Sequence, residues 1–116
     1  MEAIRCNSLY AFTEDEVNES NKYNFRTTVI QNIIYVYSIL DLWIIQRTSR
    51  KRYLLYHQNK KNSNKNYHFQ MEFTNLDTVF KYIRNHDKYI IKFKWSLPPK
   101  LKNAYKKACV QEWLRD

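Results

Sequence analysis

Apolar and polar residues alternate without a break from Tyr67 to Phe73. Successive side chains on a strand point to opposite faces. Tyr67, Phe69, Met71 and Phe73 are therefore expected on one face, and His68, Gln70 and Glu72 on the other. The first set predicts a buried surface. The second lines up an imidazole, an amide and a carboxylate. Tyr89 to Trp95 repeats the pattern, with Tyr89, Ile91, Phe93 and Trp95 on one side and Ile90, Lys92 and Lys94 on the other. Residues 53–58 and 8–13 read as shorter strands. Residues 59–66, rich in Lys, Asn and Ser, read as an exposed loop.

Helical spacing occurs in three places. Thr13 can cap a short helix and Glu16 can close a capping box within the polar, acidic stretch 14–28. Leu76, Val79, Phe80 and Ile83 recur at i, i+3, i+4 and i+7. Thr74 or Asn75 would cap that helix, Asp77 sits in its first turn, and Asn85-His86-Asp87 would end it. Pro98-Pro99 opens a C-terminal helix with Leu101, Ala104, Tyr105, Ala108 and Trp113 on its buried stripe.

Residues 29–45 form the most apolar run. As a helix, Ile30, Ile33, Ile34, Tyr37 and Leu40 share a face. As strands, the β-branched and aromatic content fits two runs broken near Leu40-Asp41. As a membrane span the run is short, with a basic flank after it. With the helix in that place, the order is strand, helix, strand, strand, helix, strand, helix. This predicts an α+β fold: a small antiparallel sheet of about four strands with two or three helices packed on it. A chain of 116 residues has room for one domain and one modest core.

Glycine is absent. Glycine-dependent tight hairpins and phosphate-cradling loops are thus not expected, and turns fall to Asn, Asp, Ser or Lys. Cys6 and Cys109 lack metal-binding spacing and read as free thiols, or else as one disulfide joining the ends. The N-terminus lacks the basic and apolar regions of a secretory signal. An intracellular location, cytoplasm or nucleus, is expected.

The net charge of +9 is uneven. Residues 1–28 carry three basic and five acidic side chains, whereas residues 47–71 carry seven basic and none acidic. An acidic head on a basic body suggests an anionic partner: nucleic acid, an acidic protein or anionic lipid. Arg47, Arg50, Lys51, Arg52, Lys60, Lys61, Lys65, Lys92 and Lys94, interleaved with Tyr and Trp, suit single-stranded DNA or RNA, with cations for phosphates and rings for bases.

His68 and Gln70 lie two apart on one predicted strand, His57 ends the preceding one, and Glu72 shares the face of His68. This nitrogen and oxygen set suits a divalent ion such as Mn²⁺ or Mg²⁺. The same row fits the wet face of an ordinary strand equally well.

Phe12-Thr13, then Tyr53-Leu54-Leu55-Tyr56, then His68-Phe69-Gln70, then Asn103-Ala104-Tyr105-Lys106-Lys107 follow one another along the chain. This succession resembles the small replication initiator endonucleases of circular single-stranded DNA viruses, within the HUH nicking superfamily. The resemblance implies a viral or mobile-element protein in which Tyr105, assisted by Lys107, attacks a DNA phosphate. A divalent ion held by His68, Gln70 and His57 or Glu72 would polarise that phosphate. The chain departs from the family pattern at His57 and Asn59, where the family prefers Glu. It departs again at Ala108, where lysine is usual. The other reading is a non-enzymatic viral accessory protein that binds an acidic host protein or self-associates.

Overall fold

The computed structural model describes residues 4–59 and 67–94, with Asn59, Phe93 and Lys94 described by their backbone alone. It is α+β, as expected, with five antiparallel strands rather than about four. The strands are β1 (Arg26–Ile30), β2 (Ile33–Tyr37), β3 (Asp41–Ser49), β4 (Arg52–Asn59) and β5 (His68–Phe73), paired in chain order as a meander. The helices are α1 (Glu14–Asn18) and α2 (Leu76–Tyr89).

Residues 29–45 are strands and not a helix. The run is broken at Gln31-Asn32 and again between Tyr37 and Asp41. Ile33, Ile34 and Val36 on β2 and Trp43, Ile44 and Ile45 on β3 are all buried, so both sheet faces are apolar here. A strand buried on both faces loses its polar alternation and becomes indistinguishable from a buried helix by pattern. Among the described residues, no helix is long and apolar enough to cross a membrane.

The residues expected as a first strand instead form a 3₁₀ turn at Ser8–Tyr10 and an irregular segment. Phe12 still enters the core. The cap at Thr13 forms as expected. Its Oγ accepts from Glu16 N (3.2 Å), and Glu16 Oε1 accepts from Thr13 N (3.0 Å). Glu16 also takes both carboxylate contacts from Arg47 Nη1, at 3.1 and 3.0 Å, tying the acidic head to β3.

α2 packs on one face of the sheet. Val79, Phe80 and Ile83 meet Ile34, Val36, Trp43, Ile45 and Leu55, with Phe12, Tyr23 and Phe25 from the head filling the remainder. Each such fully buried side chain contributes about 1.5–3 kcal/mol of transfer free energy. Asn75 is the cap, accepting from Thr78 N at 3.2 Å.

The helix does not end at Asn85-His86-Asp87. It runs to Tyr89 and continues as a π-helical turn, Ile90–Lys94, where a strand was expected. Asp87 and Ile91 are both buried and extend the Ile83 stripe at four-residue spacing. A buried carboxylate in the middle of the stripe hid that continuation. Ile91 packs with Leu40 beside the β2–β3 corner. Of the expected loop 59–66, Asn59 instead ends β4; residues 60–66 and the expected C-terminal helix lie outside the described residues.

The β1–β2 connection is a tight two-residue hairpin, despite the missing glycine. Ile30 pairs with Ile33, and Gln31 takes φ 54° between them. Its neighbour Asn32 holds the turn, with Oδ1 accepting from Asn7 N (2.7 Å) and Nδ2 donating to Arg47 O (3.0 Å). Phe12 N donates to Gln31 O (2.9 Å). Long-range contacts thus offset a left-handed residue that costs about 1–2 kcal/mol.

Two outcomes follow from this packing. Gln31→Gly is expected to raise stability by about 0.5–1 kcal/mol, read as a higher urea midpoint. A lower midpoint would show that the Gln31 side chain contributes more than its backbone costs. Separately, Tyr23 Oη donates to Asp77 Oδ1 at 2.7 Å. That bond, followed by the one from Lys81, holds the Asp77 carboxyl below its ordinary value of 3.8. A lowered folded-state value stabilises above the unfolded value, and the contribution disappears as pH falls through the folded one. Tyr23→Phe is therefore expected to cost about 1 kcal/mol at neutral pH, with the gap to wild type closing below the ordinary carboxylate range.

Candidate metal centre

β5 carries a bulge that rearranges the predicted row. Leu55 pairs with Met71 but Tyr56 pairs with Phe69, leaving Gln70 as the extra residue. Cross-strand partners share a face. Phe73 and Met71 therefore lie with Tyr53 and Leu55 on the α2 side, while Phe69 lies with Tyr56 on the other. His68, paired with His57, turns to the α2 side, and Glu72, paired with Leu54, turns away from it. The expectation that His68, Gln70 and Glu72 share one face is thus corrected. So is the predicted buried face, since Phe69 and Met71 are 54% and 46% exposed on this outer strand.

Of the four residues expected around an ion, His57 and His68 meet, with Nδ1 and Nε2 3.3 Å apart. Gln70 Nε2 instead donates to Tyr82 Oη on α2 (2.8 Å). Glu72 pairs with Arg52.

His57 finds a second partner that sequence reasoning missed. Its Nε2 lies 2.8 Å from Asp41 Oδ2 at the start of β3. His86, from α2, brings Nδ1 to 3.6 Å from the same oxygen. One ligand atom from each of Asp41, His57 and His86 lies within 4.8 Å of the other two. The set is largely enclosed: Asp41 and His57 side chains keep 6% and 12% of their exposure. Trp43 walls it, its ring 4.3 Å from that of His57 and 4.9 Å from that of His86, centroid to centroid.

The local sequence explains the convergence. Ser38 Oγ accepts from Asp41 N (3.3 Å) and from Trp43 Nε1 (3.0 Å), and donates to Asp41 O (3.2 Å). One hydroxyl thereby sets the β2–β3 corner and aims both side chains. The signal available in the sequence was weak. Asp41 is the single acid in the apolar run, and His86-Asp87 sits at positions that were read as a helix end.

The other predicted site residues scatter. Arg47 is committed to Glu16 and to the carbonyls of Ser49 and Arg50. Arg50 and Lys51 are exposed at the β3–β4 turn, and Arg52 is exposed beside Glu72. Lys92 is exposed on the π-helical turn. Tyr105, Lys107, Lys60, Lys61, Lys65 and the side chain of Lys94 lie outside the described residues, as does Cys109. Cys6 is an exposed free thiol.

The buried Asp41–His57 contact generates a stability prediction. His57→Ala removes a donor from a buried carboxylate and is expected to cost about 2 kcal/mol or more by chemical denaturation. His68→Ala, at an exposed position, is expected to cost under about 0.5 kcal/mol. Equal losses would show that Asp41 does not depend on His57. In comparisons with known proteins, no family model, curated protein or solved structure matches this chain.

Proposed function

We propose that this chain is a small basic nucleic-acid-binding protein that engages single strands on the sheet face turned away from α2. The observation that carries the reading is the composition of that face. By register it holds Arg26, Thr28 and Ile30 on β1, Ile33, Tyr35 and Tyr37 on β2, Leu42, Ile44 and Gln46 on β3, Arg52, Leu54, Tyr56 and Gln58 on β4, and Phe69 and Glu72 on β5. Ile33, Ile44 and Gln58 are buried at its centre, so the binding surface is its exposed margins, Arg26 and Tyr37 on one side and Arg52 and Phe69 on the other. Tyr37 and Phe69 are 38% and 54% exposed, one toward each side of the sheet. Three strand spacings separate them, about 14 Å, a span that suits two or three nucleotides of an extended strand.

Cations stand beside the rings. The Arg26 guanidinium lies 5.3 Å from the centroid of the Tyr37 ring. Among the described residues Arg52 pairs with Glu72, and the pair is exposed; such pairs are worth about 0–1 kcal/mol, so a phosphate competes for it readily. The net charge of +9 supplies long-range attraction. Rings that stack on bases and cations that neutralise phosphates are the two terms of single-strand binding. Strand cleavage through Tyr105 forms no part of this reading.

A second reading, self-association, has one observation of its own. Among the described residues β5 is an edge strand, with Phe69 and Met71 exposed and no proline to blunt it. Sedimentation over a concentration series separates the two readings.

The binding reading is tested with labelled single-stranded DNA and RNA across a salt series. Affinity is expected to fall linearly on a log–log plot. Arg26→Ala and Arg52→Ala should each reduce the slope by about 0.7. Phe69→Ala should weaken binding by about 1–3 kcal/mol and leave the slope alone. Affinity indifferent to salt and to all three variants would retire the proposal.

A further inference from the structure

Four titratable side chains converge where the start of β3, the end of β4 and the last turn of α2 meet. Asp41 and Asp87 are buried to 4% and 2% of their free exposure. Asp87 Oδ2 accepts from Ile39 N (2.9 Å), while its Oδ1 is buried with no hydrogen-bond partner among the described residues. His86 Nδ1 is buried and likewise unpartnered. It sits 3.6 Å from Asp41 Oδ2 and 3.7 Å from Asp87 Oδ1, beyond hydrogen-bonding reach of either. Buried polar atoms are ordinarily hydrogen-bonded, so an orphaned ring nitrogen beside two buried carboxylates calls for a partner.

We propose that Asp41, His57 and His86 bind one divalent ion of the zinc class, through Asp41 Oδ2, His57 Nε2 and His86 Nδ1. Ligand atoms about 2.0–2.1 Å from a tetrahedral zinc stand about 3.3 Å from one another. The observed separations of 2.8 Å (His57 to Asp41) and 3.6 Å (His86 to Asp41) bracket that value. The third pair, His57 and His86, lies within 4.8 Å, so closing the set on one ion takes side-chain shifts of up to about 1.5 Å. Two imidazoles with one carboxylate select zinc, cobalt or ferrous iron over magnesium or calcium, which favour all-oxygen cages. Three protein ligands leave a fourth position for water or an anionic oxygen, as in zinc sites that act on substrates.

The surroundings fit the assignment. A ligating histidine is oriented by a partner on its other ring nitrogen. For His57 that partner is His68, whose Nε2 lies 3.3 Å from His57 Nδ1. His68 is thereby a positioning residue and not a ligand. Trp43 covers the imidazoles of His57 and His86 and keeps water from that side. The site lies on the α2 side of the sheet, opposite the proposed nucleic-acid face, and stands or falls independently of it.

The test uses the full chain, stripped with a chelator and titrated with Zn²⁺ by calorimetry, then with Co²⁺ while the visible spectrum is recorded. One equivalent is expected to bind with micromolar or tighter affinity, and Co²⁺ should give the intense bands of a four-coordinate ion. His86→Gln should weaken binding at least 100-fold, and Asp41→Asn similarly. His68→Ala should weaken it about tenfold through loss of orientation. Glu72→Gln, on the far face, should leave it unchanged. Far-UV circular dichroism verifies that each variant is folded. Failure to take up an equivalent at roughly 100 µM Zn²⁺ would overturn the proposal. So would affinity that survives His86→Gln, or that falls with Glu72→Gln instead.

Discussion

A carboxylate buried at the head of a central strand must be met by donors, and Asp41 imposes that requirement on this fold. Its backbone N–H and C=O are both taken by the Ser38 hydroxyl, which also receives the Trp43 indole. Its side chain is met by His57 from β4 and approached by His86 from α2. A second buried carboxylate, Asp87, holds the backbone of Ile39 in the same corner. Three elements distant in sequence are thus tied to one turn. Removing a partner from such a cluster costs more than any single contact within it contributes, because the remaining charge is left in a low-dielectric site.

The sheet then has two unlike faces. The α2 face is a continuous apolar core that ends at the polar cluster. The other face buries Ile33 and Ile44 at its centre and carries rings and cations at its margins. The bulge at Gln70 allocates residues between them. It sends His68 toward His57 and the enclosed cluster, and Phe69 outward beside Tyr56, their rings 5.8 Å apart in an edge arrangement. Without that extra residue His68 would point away from His57. Bulges occur where a side chain is re-aimed and a ladder interrupted. Here one bulge separates the proposed ion chemistry from the proposed binding surface.

The glycine-free composition shapes the turns in a related way. A tight hairpin forms at Gln31-Asn32 because Asn7, Phe12 and Arg47 hold it from outside the turn. The acidic head belongs to the same packing. Phe12, Tyr23 and Phe25 enter the core, and Glu16 and Asp77 anchor it through Arg47 and Tyr23. Local strain is tolerated where tertiary contacts over-determine the conformation.

Local pattern was enough for the α+β class, the Thr13 capping box, the start and apolar stripe of α2, and strands near 53–58 and 67–73. Each rests on local physics: a cap three residues from its partner, or a period of 3.6 or 2. His57 and His68 were legible as candidates because their type and spacing are local properties. Three features depend on the assembled fold. The run 29–45 became strands because both its faces are buried, which erases periodicity. The phase of β5 changed because a bulge is set by pairing with β4 and by the reach of Gln70 to Tyr82. Asp41 and His86 joined His57 because side chains 45 residues apart in sequence meet only when α2 is laid across the sheet, and no local pattern encodes where a helix crosses.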